Sequence, residues 1–319
     1  MSKKIIIFAG DPNSINSEII YKCWKKLNKN IKRKTYFISN FYLLKEQFKK
    51  LKYKIRIDKV KNIKENVNSN NIKVIDIKLI FKDPFKVKKH YASKFVKDSL
   101  NLMHKMGLNK NVVGVINLPI NKNLLDKKNV GVTEFLSSKC KIKKNSEAML
   151  IKSDKFSVSP ISTHIDIKKV SKTINKRLIL NKTSTIQKYL KIFLKRKPRI
   201  GLLGLNPHNA ELRKNSEEKR IIIPSVKKLK KSGFNIKGPM VADTVFIKDY
   251  KNFDVIIGMY HDQVLAPFKT LFKFDAINIT LGLKYIRVSP DHGVAKNLIG
   301  KNKADITSTL KCFHFLDKI

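Results

Sequence analysis

Residues 200–208 read IGLLGLNPH: an apolar run, then a polar turn that ends in a histidine. The run 200–205 has the length and composition of a buried strand, and Asn206-Pro207 stops it. His208 is thereby left just beyond the strand's carboxyl end. The same order occurs twice more. Residues 255–259 (VIIGM) are followed by Tyr260-His261-Asp262, and residues 156–159 (FSVS) lead to Thr163-His164. In open α/β sheets, ligands bind in the crevice outside the carboxyl ends of the strands. Three of the chain's seven histidines stand in that position. Three neutral imidazoles that leave a coordination place open describe a catalytic rather than a structural metal site. The plainer alternative stays open at this point: each is a loop histidine with a local hydrogen bond.

Outward from these segments, strand-like runs alternate with helical periodicity. Strands are expected at 5–9, 36–39, 74–77, 112–117, 156–159, 200–205, 255–259 and 276–280. Between them lie apolar stripes at helical spacing: Ile19, Ile20, Cys23, Trp24 and Leu27; Tyr91, Phe95, Leu102, Met103 and Met106, closed by Gly107; and Ile186, Tyr189, Leu190 and Phe193. A fourth helix is expected from Ser216-Glu217-Glu218, read as an N-cap with acids in the first turn, to Gly233. Repeated strand–helix units predict parallel sheets flanked by helices. The lysine-rich stretch 45–73 is the least structured by pattern. No internal repeat and no Gly/Ser-rich linker is visible.

Length and composition bound the class. A chain of 319 residues, 42% hydrophobic, has material for one large or two smaller domains. No apolar run reaches the roughly 20 residues a membrane span needs. Residues 5–9 form too short an apolar stretch for a signal segment, and no small-residue cleavage site follows. The three cysteines, Cys23, Cys140 and Cys312, are odd in number and far apart, which leads to the expectation of a reducing, cytoplasmic setting. The net charge of +45 invites a nucleic-acid partner, but only eight of the 69 basic residues are arginine. Arginine is the residue suited to bidentate phosphate and base contacts. The lysines are scattered rather than gathered, so neither a specific nucleic acid nor a membrane is expected as partner.

Residues 201–304 hold the densest set of polar side chains near strand ends. Lys269, Asn278 and Arg287 offer a point charge, an amide donor and a bidentate fork, which suits a phosphate or carboxylate. Lys269 alone means little where nearly one residue in five is lysine; the scarce Arg287 carries more weight. No G-x-G-x-x-G and no Walker-type loop is present, so a dinucleotide would have to be held in another way.

These residues carry a resemblance. GLNPH, GPMVADTVF, MYHDQ, NITLGL and IRVSPDHG follow in the order and near the spacing of the 4-hydroxythreonine-4-phosphate dehydrogenase family, which the chain resembles along most of its length. The resemblance implies an isocitrate/isopropylmalate dehydrogenase-like fold, with two α/β/α domains flanking a cleft. The first would hold residues 1–125 and 290–319, and the second, 126–289, the metal and phosphate sites. It implies a homodimer that completes each active site across the subunit interface. The family's divalent-metal ligands fall on His164, His208 and His261, the third from the partner subunit. Zinc is the first choice; magnesium, cobalt or manganese are alternatives. Substrate contacts fall on Thr133, Lys269, Asn278 and Arg287, and the NAD or NADP loop on His292 and Gly293. Asp243 and Lys122 are candidates for the proton-transfer group. The implied reaction is metal-dependent, NAD(P)-linked oxidation and decarboxylation of 4-phosphooxy-L-threonine to 3-amino-2-oxopropyl phosphate, a step of pyridoxal 5'-phosphate biosynthesis.

The chain also departs from the family. Val132 stands where a substrate-contacting histidine is usual, Leu118 replaces a glycine and Asn121 a histidine. Asn13, Ser14, Asn16 and Ser17 replace most of a Pro/Gly-rich stretch. After His208, a Gly-rich loop has become residues 209–215, NAELRKN. These changes motivate the alternative of a related metal-dependent dehydrogenase acting on another phosphorylated hydroxy acid.

Overall fold

The computed structural model describes residues 3–65, 70–125, 131–142, 146–273 and 275–319. Its strands are β1 (Lys4–Phe8), β2 (Thr35–Ser39), β3 (Ile57–Val60), β4 (Ile72–Asp76), β5 (Val112–Asn117), β6 (Ala148–Lys152), β7 (Ser157–Pro160), β8 (Ile200–Leu203), β9 (Ile236–Met240), β10 (Val255–Gly258), β11 (Ile277–Leu281) and β12 (Arg287–Pro290). The helices are α1 (Asn16–Lys26), α2 (Lys29–Lys34), α3 (Phe41–Lys50), α4 (Lys89–Gly107), α5 (Val132–Cys140), α6 (Ile167–Thr173), α7 (Lys176–Leu194), α8 (Ile223–Lys231), α9 (Ala242–Val245), α10 (His261–Phe272) and α11 (Thr307–Lys318).

The chain divides into two compact units, Met1–Lys141 with Leu283–Ile319, and Ile142–Gly282. In the first, the strand order is β3-β4-β2-β1-β5-β12, with neighbouring strands parallel. Strands buried on both faces read as continuous apolar runs, and β1 obeys this: Ile5, Ile6 and Ile7 have no exposed surface. The stripe on α1 turns Ile19, Ile20, Cys23 and Trp24 inward. That on α4 buries Phe95, Val96, Leu100 and Met103 before the helix ends at Gly107. Asn28 and Asn40 cap α2 and α3 by accepting from the Ile31 and Leu43 N–H groups.

In the second unit the order is β11-β6-β7-β10-β8-β9. β7, β10, β8 and β9 run parallel, while β6 is antiparallel to both β11 and β7. Phe156, Val158, Leu203, Ile256, Val264 and Phe268 belong to its core. Asn175 caps α7, whose Leu178, Ile179, Ile186 and Leu190 are buried.

The eight expected strands are present, with ends shifted by one or two residues, and 112–117 without any shift. β3, β6, β9 and β12 were not anticipated. They are four or five residues long, and IDKV, IKGPM and RVSP carry charge or proline that hides a strand signal. The stretch 45–73, read as least structured, holds the end of α3, all of β3 and the start of β4; its residues 66–69 lie outside the described set. The break between units also falls elsewhere than at 125/126 and 289/290. Residue 126 is outside the described residues, but α5 packs on α4 and β12 pairs with β5, which draws Val132–Cys140 and Arg287–Pro290 into the first unit.

Candidate active site

All three strand-end histidines lie in the second unit and all three follow parallel strands. His164 comes after β7, His208 after β8, and His261 opens α10 directly after β10. The rings of His164 and His261 have centroids 5.9 Å apart. His261 Nδ1 lies 2.6 Å from Asp262 Oδ1, and His208 Nε2 lies 3.7 Å from Asp243 Oδ2, on α9. Among the described residues, no three His, Cys, Asp or Glu side chains stand close enough together to hold a metal ion. The structure thus brings His164 to His261, and His208 to Asp243.

Two of these histidines sit on left-handed backbone. His164 has φ 50°, and the turn Pro207–Leu212 carries φ of 47°, 57°, 51°, 44° and 57° at His208, Asn209, Ala210, Glu211 and Leu212. None of the five is glycine. An L-residue in this region costs roughly 1–2 kcal/mol, so such a run persists only when its surroundings over-determine it, and such strain clusters at active sites and ligand clamps. The supports are visible. Glu218 Oε1 accepts from the backbone N–H groups of Leu205 and Asn206, both at 2.8 Å. The Asn206 side-chain amide donates to Glu218 Oε2 at 3.0 Å and to Glu217 Oε2 at 2.9 Å. Gln263 Nε2 donates to Gly204 O at 2.8 Å, while its Oε1 accepts from Met259 N–H at 2.7 Å. Gly204 leaves room for the Asn209 side chain: a Cβ there would lie 2.0 Å from Asn209 Oδ1 and displace it. Burial alone would raise the Glu218 carboxyl, but the hydrogen bonds from Asn206 and Leu205 outweigh it and hold the group below its ordinary value.

The helix starts where the sequence placed it: Ser216 Oγ accepts from the Lys219 N–H at 3.2 Å, and Glu218 stands in the first turn. What the sequence did not disclose is that Glu218 has no exposed surface, begins a π-helical turn, Glu218–Ile222, and accepts from the backbone that leads to His208. The clue available in the sequence was a carboxylate ten residues beyond His208, which periodicity assigns to solvent.

The phosphate-binding candidates divide between the units. Lys269 is exposed on α10, and Asn278 is half-buried on β11 with its Oδ1 buried and without a hydrogen-bond partner. Both belong to the second unit. Arg287 opens β12 in the first unit, buried to 4% exposure. Its Nε donates to Asn117 Oδ1 at 2.6 Å, and its Nη1 to Thr133 Oγ1 at 3.5 Å. Thr133 stands in the first turn of α5, and Val132 is that helix's first residue. The structure therefore unites Arg287 and Thr133, two candidates 154 residues apart. Asn117, at the end of β5, is the member of this group that sequence reasoning missed. Burial pushes the Arg287 guanidinium down to about 10, and it stays charged at neutral pH.

His292 and Gly293 follow β12. His292 Nδ1 lies 3.0 Å from Gly293 O, and burial pushes its imidazole below 6.5. Nothing lies within 4 Å of where a Cβ on Gly293 would stand, so the backbone there is open to close approach. Three residues on, Lys296 lines a cavity of about 190 Å³ with Asp11, Asn13, Lys89, Asn121 and Asn123. Lys122 is exposed on the 3-10 turn Lys122–Leu124, between two of the lining residues. Asp11 is buried, which raises its carboxyl; the backbone N–H groups of Asn13 and Asn121 donate to it and oppose that shift. Gly10 at φ 81° permits the turn into Asp11, since a side chain there would meet Pro119 O at 2.5 Å.

Twelve strands with flanking helices, divided between two α/β units, and polar groups at the strand ends define an α/β protein with the fold of the isocitrate dehydrogenases. Isocitrate dehydrogenase from Methylococcus capsulatus has the same fold, with a TM-score of 0.50 at 10% identity, covering 99% of this chain and 85% of that one. The family model described as pyridoxal phosphate biosynthetic protein PdxA matches residues 30–316. The chain belongs to this PdxA family. It is 38% identical over 321 residues to the 4-hydroxythreonine-4-phosphate dehydrogenase of Sulfurihydrogenibium sp. (strain YO3AOP1), covering 97% of this chain and 95% of that protein. It is 39% identical over 163 residues to the D-threonate 4-phosphate dehydrogenase of Pectobacterium atrosepticum, covering 49% of each. The crystal structure of the 4-hydroxythreonine-4-phosphate dehydrogenase from Klebsiella pneumoniae superposes with a TM-score of 0.85 at 26% identity, covering 99% of both chains.

Proposed function

We propose that the chain catalyses NAD(P)-linked, metal-dependent oxidation and decarboxylation of 4-phosphooxy-L-threonine. The observation that carries this reading is the full-length match to a 4-hydroxythreonine-4-phosphate dehydrogenase. The donor chemistry supports a divalent ion held by His164, His208 and His261. Imidazole suits zinc and its neighbours, and a carboxylate beside a ligating imidazole fixes its orientation, as Asp262 does for His261. When bound, such an ion supplies Lewis acidity to the substrate's oxygens, zinc first, with cobalt, manganese or magnesium able to serve.

The chain's own residues supply the rest. Arg287, Lys269 and Asn278 bind the substrate phosphate and so fix the carbon that reacts, with Thr133 beside Arg287. A base takes the proton of the secondary hydroxyl; NAD or NADP, held beside His292 and Gly293, would supply the hydride acceptor for its carbon. Asp243 and Lys122 are the two candidates. The C–C bond to the carboxylate then breaks, carbon dioxide leaves, and a proton returns to the carbon. The product is 3-amino-2-oxopropyl phosphate, and the protons taken and returned balance. The cofactor's loop runs through His292 and Gly293, and the cavity bounded by Lys296 and Asp11 takes part of the cofactor.

A homodimer fits the surface beside the histidines. Ile165 and Ile167 follow His164, Leu212 follows His208 and Ile247 follows Asp243, and all four are exposed, Ile167 to 70%. Exposed apolar side chains that follow the candidate ligands in this way suit a surface that a partner covers. The chain has three free cysteines, all buried, and among the described residues no helix is long and apolar enough to cross a membrane. A cytoplasmic enzyme is the proposal that agrees with both. Val132 and the match to a D-threonate 4-phosphate dehydrogenase favour a second reading, an enzyme for a related phosphorylated hydroxy acid. Purified protein with Zn²⁺ or Co²⁺ and NAD⁺ or NADP⁺ should form reduced cofactor on 4-phosphooxy-L-threonine. Turnover of D-threonate 4-phosphate alone would move the assignment to the second reading.

A further inference from the structure

We propose that Glu218 is a positioning residue whose buried carboxylate holds the left-handed turn that presents His208, and that Gln263 ties this turn to the helix opened by His261. The inference rests on the reading of His208 and His261 as metal ligands. Glu218 touches neither histidine. It accepts from the Leu205 and Asn206 N–H groups at 2.8 Å, the two residues that lead into Pro207-His208. A second arm runs through the Asn206 side chain to Glu218 Oε2 and Glu217 Oε2. From the other side, Gln263 grips both strand ends at once, Gly204 O at the end of β8 and Met259 N–H at the end of β10. His261 lies two residues before Gln263 on the same helix. One side chain therefore sets the spacing between the loop of one candidate ligand and the helix of another.

A merely structural buried acid would not need this geometry. The carboxylate begins a π-helical turn, Glu218–Ile222, and such turns appear frequently at functional sites. Asn209 Oδ1 is buried inside the turn without a hydrogen-bond partner, pressed close to Gly204. Five non-glycine residues keep φ between 44° and 57°. The local chain favours none of this, so contacts from outside the turn must fix it, and Glu218 makes two of them at 2.8 Å.

The test uses the full chain with Co²⁺ as the probe, read by its visible spectrum and by competition with a chromogenic chelator. Amide hydrogen exchange is followed in parallel. Wild type, His208→Ala and Glu218→Gln are compared. Glu218→Gln should keep the wild-type circular dichroism, weaken Co²⁺ binding roughly 10–100-fold as loss of an outer partner does, and alter the Co²⁺ spectrum. The Leu205 and Asn206 amides should exchange about tenfold faster or more. Wild-type Co²⁺ affinity in Glu218→Gln, with His208→Ala no longer binding, would overturn the positioning role and leave the metal reading standing. Were His208→Ala to bind Co²⁺ as wild type does, the metal reading would fall, and the amides alone would decide: faster exchange supports Glu218 as the brace of the turn, and unchanged exchange refutes it. If Glu218→Gln does not fold, Gln263→Ala removes the link between Gly204 and Met259. It should weaken Co²⁺ binding about tenfold, and unchanged affinity there counts against the proposal.

Discussion

Arg287 in the first unit and His208 in the second are placed in opposite ways. Arg287 is 4% exposed, at the start of a parallel strand, with Nε fixed on Asn117 at 2.6 Å and Nη1 near Thr133. His208 is exposed on a run of left-handed residues, its backbone held through Leu205 and Asn206 and its ring 3.7 Å from Asp243. The difference agrees with the roles proposed above. A guanidinium that is to grip a phosphate works best if its direction is set beforehand, because an ordered fork loses less entropy on binding. An imidazole that is to receive a metal has to stay accessible, and in the second unit the ring stands in solvent above a braced backbone.

His208→Ala is the strongest way to sharpen this contrast. It should remove bound metal and reduced-cofactor formation together, more severely than the roughly 10–100-fold expected for an outer partner; full metal content in that variant, measured by elemental analysis, would break the assignment. Arg287→Lys keeps the charge but loses the fork and leaves Asn117 with a poorer partner. Losing a hydrogen bond to a charged group costs about 1.5–3 kcal/mol, so KM for the phosphorylated substrate should rise about 10–100-fold with metal content unchanged. Equal loss of metal would show that the two regions are not independent.

Val132→His restores an imidazole at the first residue of α5, beside Thr133. With 4-phosphooxy-L-threonine as substrate, KM should fall about tenfold, the gain from one added hydrogen bond. No change, or a rise, would favour the related substrate.

The smallest effect concerns the scaffold below the second site. Burial raises the Asp254 carboxyl, but the hydrogen bonds of Arg196 and of the Arg199 backbone and side chain outweigh it and hold the group well below its ordinary 3.8. A depressed carboxyl stabilises the fold above its unfolded value and loses that contribution as pH falls through the folded one. Thermal melts should therefore show no effect of this group's titration between pH 5 and about pH 7, and a decline below about pH 4 that Asp254→Asn lacks. At neutral pH Asp254→Asn should cost about 1 kcal/mol, since both arginines are half exposed.

Much of this contrast was legible in the chain, and what was hidden has a physical reason. Apolar runs disclosed β1, β5 and β10 because buried parallel strands have to be apolar on both faces. β12 escaped notice because it is four residues long and opens on the charged Arg287, in RVSP. The histidines could be found because they end strands. Asn117 and Glu218 could not, since their importance lies in which backbone or side-chain atom they reach. Asn117 meets Arg287 across 170 residues of sequence, and Glu218 turns inward at a position where helical periodicity predicts solvent.

The proposed activity stands or falls on reduced-cofactor formation by the purified, Zn²⁺- or Co²⁺-loaded protein on 4-phosphooxy-L-threonine. Steady formation of NADH or NADPH with release of carbon dioxide, abolished by a chelator and restored by the metal, is the predicted result. A metal-loaded, folded protein that leaves this substrate untouched with either cofactor would contradict it.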